Sequence, residues 1–363
     1  MAPNGSPAAQ RRPRLTPAIA DARRAVRTAL AAASALPAVD PRDDHGPARP
    51  GPLAPGALVL VGLSGGADSL ALAAATAFEA PRAGYRAGAV IVDHGLQEGS
   101  AEVAERAAAQ AGSLGLEPVI VERVSVEARG GPEAAARAAR HAAFDRASAA
   151  TGADRILLAH TLDDQAETVL LGLARGSGPS SLQGMLPDTG RLLRPFLGLR
   201  RATTRAFCAD SGLEPWDDPH NDDLSYTRVR VRHQVLPVLE RELGPGVAEA
   251  LARTAEQLRE DDEALDGLAL EWALELVSQA EDGAVTLDVR GLAADPPALR
   301  QRIIRLVVST EFGVSLSRTH TLAVAALITD WHGQGPVDLP GVRVVRRNGL
   351  LEFRPDPAHP HTS

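Results

Sequence analysis

Not one lysine occurs in this chain, so all 38 basic residues are arginines. No lysine can therefore act as base or nucleophile, and any clamp on a phosphate must be built from arginine. Cysteine is nearly absent too. Cys208 stands alone, which excludes an intramolecular disulfide and any multi-cysteine metal site. No run is long and apolar enough to span a membrane. The segment after Met1 carries arginines and prolines but no apolar core of the signal-peptide kind, so the expected location is the cytoplasm. Positive charge is in deficit as well. A net charge of -8 argues against simple non-specific nucleic-acid binding. Local basic surfaces are nevertheless present. Arg191, Arg194, Arg200, Arg201 and Arg205 fall in one stretch free of acids, and Arg228, Arg230, Arg232 and His233 form a second. Each is read as a solvated helix face or as an RNA contact.

What the chain does hold is enough apolar material, 44% of 363 residues, to build two or three domains. Met1 to about Thr16 reads as disordered, Pro17–Leu36 as an alanine-rich helix with Arg23, Arg24 and Arg27 on one side, and Pro37–Gly56 as a linker rich in proline and glycine. Strand candidates Ala57–Val61, Ala87–Val92, Glu117–Glu122 and Arg155–Ala159 then alternate with helix candidates near Leu70–Glu79, Ala101–Leu114 and Glu133–Ala149. That alternation predicts an α/β fold, a doubly wound parallel sheet with helices on both faces. Beyond Gly176-Ser177-Gly178-Pro179 the alternation stops. Helices are expected over Arg200–Ser211 and Thr227–Glu242, with a boundary at Gly244-Pro245-Gly246. An amphipathic acidic stretch follows over Val247–Ala280, then helices over Pro297–Thr310 and Ser317–Thr329. Pro336–Phe353 alternates as short strands around an Arg-Arg-Asn-Gly turn.

The most informative segment is Ser64-Gly65-Gly66-Ala67-Asp68-Ser69, lying between the first strand and the first helix of that alternation. A glycine-rich turn there lets backbone N–H groups converge on an anion at the helix N-terminus. The common phosphate loop of this design ends in Gly-Lys-Ser/Thr. Here Asp68 takes the place of the lysine, a residue suited to a divalent metal. A tight turn with a capping serine is the bland alternative.

Other segments line up at the carboxyl ends of the later strands, where such sheets bind ligands. Asp93-His94-Gly95-Leu96 ends the second strand. Gly131-Pro132-Glu133 opens a helix carrying Arg137 and Arg140, three residues apart and able to grip one polyphosphate, while Arg137 can equally pair with Glu133. His160-Thr161-Leu162-Asp163-Asp164-Gln165-Ala166-Glu167-Thr168 follows the fourth strand. Thr161 with Asp164 fits a capping box and Asp163 favours the positive helix end, which leaves unexplained why His160, Asp163, Asp164 and Glu167 crowd a site facing the loop. Asp68 and Asp164 together can hold Mg²⁺, with His160 donating to a phosphate oxygen. Asp218-Pro219-His220-Asn221 precedes the basic helix bearing Arg228 and Arg230.

The SGGxDS loop resembles that of the PP-loop ATP pyrophosphatases, which cleave ATP between the α- and β-phosphates. The ordered set, spanning roughly Ala57 to Pro237, resembles the tRNA(Ile)-lysidine synthetase family. The resemblance implies ATP bound on Ser64, Gly65, Gly66, Ala67, Asp68 and Ser69, Mg²⁺ on Asp68 and Asp164, and catalytic roles for Asp68, His160, Asp164, Arg137 and Arg140. Its partners are a CAU-anticodon tRNA(Ile) and free L-lysine, with tRNA contacts expected at Arg194, Arg201, Arg205, Asn221, Arg228 and Arg230. The implied chemistry adenylates the wobble cytidine at its C2 oxygen, and the lysine amine then displaces AMP. The implied organisation is an N-terminal extension (1–56), a catalytic domain (57–245), a helical tRNA-binding domain (246–330) and a small β tail (331–363). A homodimer through the central helices is the expected assembly. Tyr226-Thr227-Arg228-Val229-Arg230 departs from the family, many members having Arg-Asn in place of Arg228-Val229. The rival readings are another PP-loop synthetase, such as an ammonia-dependent NAD synthetase, and a non-catalytic ATP-binding module.

Overall fold

The computed structural model describes residues 15–35, 51–95, 99–124, 132–176, 178–279 and 284–356. Residues 1–14 of the segment expected to be disordered, most of the expected linker, Leu96, Gly131, the Glu133 side chain and Ser177 lie outside the described residues, whereas Thr16 is placed as the cap of the helix that starts at Pro17. The chain forms two compact units that part between Glu256 and Gln257.

The first unit contains helix α1 (Pro17–Ser34), then strand β1 (Leu58–Gly62), α2 (Ala67–Glu79), β2 (Arg86–Asp93), α3 (Ser100–Ser113), β3 (Val119–Arg123), α4 (Pro132–Thr151) and β4 (Ala153–Leu157). After these come α5 (Leu162–Ala174), a single turn α6 (Pro179–Leu182), β5 (Leu192–Leu193) and α7 (Arg201–Ser211). The strands form one parallel sheet in the order β3-β2-β1-β4-β5. Strand residues alternate between two cores. Val59, Val61, Ile91, Leu157 and Leu193 join the core that includes residues of α1, α2, α3 and α7, while Leu58, Leu60, Val90, Ile156 and Leu192 pack with Phe144 and Ala147 of α4. Burial on both faces explains why these strands read as unbroken apolar runs. The four expected strands are all present. β5 was not anticipated, since two residues are too short to register as a period in sequence.

α1 is more than an extension. Ile19, Val26 and Leu30 are at most 1% exposed and share the core with Leu70 of α2 and Phe207 of α7. The arginines on its outer side are anchored as well: Arg27 pairs with Glu79 at 2.9 Å, and Arg23 lies over the Phe78 ring.

The expected helix Thr227–Glu242 is present as α8 (Thr227–Arg230), a π-helical turn (Val231–Val235) and α9 (Leu236–Glu242). The boundary at Gly244–Gly246 has a local cause. Both glycines have positive φ, and the Glu240 carboxylate accepts the N–H groups of Gly246, Val247 and Ala248 as α10 (Val247–Leu276) begins.

The second unit adds β6 (Val277–Gln279), β7 (Val285–Asp288), α11 (Val289–Ala294), α12 (Pro297–Phe312), α13 (Arg318–Thr329), β8 (Val337–Leu339), β9 (Val342–Arg347) and β10 (Leu350–Pro355). Its antiparallel sheet runs β6-β7-β10-β9-β8. The expected hairpin closes on Asn348 and Gly349, both with positive φ. The expected separation of a helical domain from a β tail differs from what is found. β10 pairs with β7, which precedes the helices in sequence, so strands and helices share one core of Leu287, Ile303, Val324, Val344 and Phe353. β6 and β7 escaped the sequence reading because they are three and four residues long and follow a helix-period pattern.

Candidate active site

The strand order reverses at β1, whose neighbours are β2 on one side and β4 on the other. Chain running outward in opposite directions from such a point leaves a crevice at the carboxyl ends of the two central strands. Both motif-bearing loops, after β1 and after β4, open there.

The first loop is held by its own serines. The Ser64 N–H donates to Ser69 Oγ at 3.2 Å, the two hydroxyls are 3.1 Å apart, and Ser69 Oγ donates to the Gly66 carbonyl at 3.0 Å. Gly65 has φ +85°, a conformation strained for any residue with a Cβ, and its carbonyl accepts the Trp216 N–H at 2.9 Å. Gly66 caps α2 without a side chain, so the first N–H groups of the helix are left for an anion.

The second loop carries the predicted capping box: Thr161 and Asp164 bond reciprocally at the start of α5. Asp164 Oδ2 accepts from the Thr161 N–H and hydroxyl, each at 2.8 Å. Its Oδ1 accepts from Arg201 at 2.7 Å and Arg232 at 3.1 Å. Burial pushes this carboxyl up, but Arg201, the Thr161 bonds and Arg232 outweigh it and hold Asp164 below the ordinary carboxylate value. One turn on, the fully buried Glu167 meets Arg232 at 2.7 Å, Arg201 at 3.4 Å and Arg228 at 3.8 Å. Asp163 accepts the Arg201 backbone N–H at 2.7 Å and pairs with Arg200 at 3.2 Å. Asp163, Glu167, Arg200, Arg201 and Arg232 line a small cavity of about 150 Å³ with Leu236, Pro237, Glu240 and Ala248.

The two loops meet through α7. Thr204 donates to Asp68 Oδ1, and Arg201 Nε lies 3.5 Å from Asp68 Oδ2. Burial raises the Asp68 carboxyl above its usual value, only partly offset by Thr204 and Arg201. On the other side, His160 is pushed down to about 4 by burial and by Arg194, Arg228 and Arg140, against the opposing pull of Asp164. His94 is also lowered, by burial and Arg140. Both imidazoles are neutral near pH 7, and both have a buried Nδ1 without a partner. Arg137 and Arg140 stand exposed on α4.

The structure brings Ser64–Ser69, Asp68, Asp164 and His160 to one crevice, and it turns several of the arginines expected to contact tRNA toward other partners. Arg201 and Arg228 turn toward the acids of α5, Arg228 also donating to Thr168 at 2.9 Å. Arg194 is only 6% exposed. Arg230 holds the carbonyls of Leu224 and Ser225 in its own loop. Arg205 and Asn221 are exposed. Two site residues were missed, Thr204 and Arg232. Thr204 gives no sequence signal. Arg232 was visible as part of a basic cluster, but only the fold shows its π-helical turn directed at α5.

A PP-loop domain family matches residues 50–239, and a TilS substrate binding domain family matches residues 287–351. The tRNA(Ile)-lysidine synthase of Leifsonia xyli subsp. xyli is 83% identical over 93% of this chain and 100% of its own length. The chain belongs to the tRNA(Ile)-lysidine synthase family. The corresponding protein of Thermobifida fusca is 55% identical over 81% of this chain and 90% of its own. As a member of the tRNA(Ile)-lysidine synthase family, the chain is a ligase with an ATP-using PP-loop domain. The U34-tRNA thiolase NcsA from Methanococcus maripaludis, solved with its [4Fe-4S] cluster, superposes with a TM-score of 0.52. That match covers 67% of this chain and 80% of the thiolase at 19% identity, a likeness of fold.

Among the described residues no group of three or more His, Cys, Asp or Glu side chains is arranged to hold a metal. Mg²⁺ needs fewer, since it takes one or two carboxylates and completes its shell with phosphate and water oxygens. Asp68 fits, being 27% exposed with Oδ2 facing only the longer arginine contact. Asp164 has both oxygens engaged and would reach a metal only by exchanging Arg201. No helix among the described residues is long and apolar enough to cross a membrane.

Proposed function

We propose that this protein joins the side-chain amine of free lysine to C2 of the wobble cytidine in a CAU-anticodon tRNA(Ile), so that the tRNA reads AUA and accepts isoleucine. ATP first adenylates the cytidine C2 oxygen with release of pyrophosphate, and the lysine amine then attacks C2 and expels AMP. The observation that carries the reading is the meeting of the Ser64–Ser69 loop with the Asp164 loop at Arg201, in a chain that also matches the TilS substrate binding domain.

In this reading the free N–H groups of α2 and the guanidinium groups of Arg137 and Arg140 hold the ATP phosphates. Asp68 would hold Mg²⁺, joined by Asp164 once Arg201 and Arg232 gave way, and the ion would supply charge neutralisation at the phosphate under attack. His160, neutral, donates its single N–H to a phosphate oxygen. The cavity lined by Asp163, Glu167, Arg200, Arg201 and Arg232 offers both charges at once, which suits the ammonium and carboxylate of an amino acid. The attacking amine must be neutral, and free lysine is mostly protonated near pH 7. Asp163 or Glu167 accepts that proton. Arg205 and Asn221 contribute exposed contacts to the tRNA.

The test is transfer of radiolabelled lysine. Protein, ATP and Mg²⁺ are incubated with tRNA(Ile) transcripts carrying CAU or UAU. Stable label in the CAU transcript alone, with AMP formed, is expected. AMP formed without lysine transfer would overturn the substrate assignment.

A further inference from the structure

Arg194 follows directly on β5. β5 is hydrogen-bonded to β4 with Leu157 opposite Leu193, and the Leu158 N–H donates to the Leu193 carbonyl at 2.8 Å. Adjacent parallel strands in this register send their following residues to the same end of the sheet, so Arg194 emerges beside the segment that leads to His160. This arginine is only 6% exposed. Nη1 donates to the Leu186 carbonyl at 2.7 Å, while Nε is buried without a hydrogen-bond partner. No carboxylate forms an ion pair with Arg194 among the described residues. The Asp188 carboxylate, whose charge it feels, accepts the Gly190 N–H at 2.7 Å instead.

A guanidinium cannot shed its proton, so burying it with one carbonyl partner is unfavourable unless an anion completes the site. The surroundings select the kind of anion. Arg137 lies close enough for the two cations to repel, and His160 is within reach of the same charge. The neutral His160 Nδ1 also lacks a partner. Two repelling guanidinium groups and an imidazole with an unused ring nitrogen, at the carboxyl end of β4 and β5, match a group with several charged oxygens.

We propose that Arg194 is a pyrophosphate clamp, its guanidinium holding the β- and γ-phosphates of ATP and the pyrophosphate that leaves, instead of touching tRNA. This deepens the ATP-cleavage reading above and rests on it. It assigns Arg194 to the leaving group alone, beside the phosphate contacts proposed above for the Ser64–Ser69 loop, Arg137 and Arg140.

Calorimetric titration of full-length protein with ATP, inorganic pyrophosphate and AMP, each with Mg²⁺, tests it. Wild-type protein should bind all three. Arg194→Gln should lose about tenfold or more in affinity for ATP and pyrophosphate, with AMP affinity within about twofold of wild type and partial recovery in Arg194→Lys. Unchanged pyrophosphate affinity in Arg194→Gln overturns the clamp. So does an equal loss for AMP and ATP, which is the mark of a residue that only braces the loop at Leu186. Should the variant fail to fold, wild-type protein labelled with ¹⁵N-arginine answers in its place. The Arg194 Nε–H resonance should move on adding pyrophosphate and stay put with AMP, and a signal indifferent to pyrophosphate overturns the proposal. Wild-type protein that binds neither ATP nor pyrophosphate fails the parent reading itself and takes the clamp with it.

Discussion

One guanidinium, that of Arg201, lies between two carboxylates, 2.7 Å from Asp164 Oδ1 and 3.5 Å from Asp68 Oδ2. It thereby ties the loop after β1 to the loop after β4. Removing one partner from a buried ionic cluster leaves the others uncompensated, which costs about 3 kcal/mol. Arg201→Met should lower the unfolding free energy by about that amount in urea denaturation. A loss within ordinary surface-mutation scatter would show that Arg232 alone balances the cluster.

Asp164→Asn keeps the shape and an oxygen for Thr161, but turns an N–H₂ group toward arginines that need an acceptor. The expected result is abolished AMP formation from ATP in the presence of tRNA. Near-normal AMP release would remove Asp164 from the assigned role.

Thr204→Val removes the hydroxyl that lowers the Asp68 carboxyl. Burial then acts with less opposition, so the carboxyl titrates at still higher pH. In the role proposed for Asp68 the active form is the carboxylate, so the acid limb of the pH–rate profile for AMP formation should move to higher pH. Rates of variant and wild type should converge on the alkaline side. An unshifted acid limb would mean that Asp68 does not govern it.

The parts of this site legible in sequence are those with local causes. The Ser64–Ser69 loop is announced by an apolar strand before it and an alanine-rich helix after it. The Thr161–Asp164 capping box is written in four consecutive residues. Thr204 and Asp68 stand 136 positions apart, and no local rule pairs them. The basic stretch Arg191–Arg205 was visible as a cluster, but its destination was not. A run of arginines reads as a solvated face until the fold sets the acids of α5 opposite it. In the second unit the long helices and the hairpin are evident from their periods, whereas the six-residue α11 is too short to show one, and β6 and β7 are strands only because β10 pairs with β7 and β7 with β6.

His160 titrates at about 4 in the folded protein against 6.5 for the free side chain. Between those values the unfolded chain binds a proton that the folded one refuses, so stability falls as pH drops through that window. His160→Gln should flatten this part of the stability–pH curve while leaving stability near neutrality little changed. Urea denaturation across the window reads the difference, and parallel curves for variant and wild type would deny the burial of a neutral imidazole.

Leu30 on α1 is wholly buried in the core it shares with α2 and α7. Leu30→Ala should cost about 2–5 kcal/mol in the same assay. A negligible change would reduce α1 to an appendage.

The seat of α1 also has a temporal meaning. Thr16, its cap, bonds Asp210 at the far end of α7, 194 positions later in the chain. On the ribosome α1 is made long before half of its binding surface exists. Until α7 emerges, the stripe of Ile19, Val26 and Leu30 has only a partial berth, and closing it is among the longest-range contacts the unit forms. Synthesis from the N-terminus thus leaves α1, made before α2 and α7, among the last to find its full place.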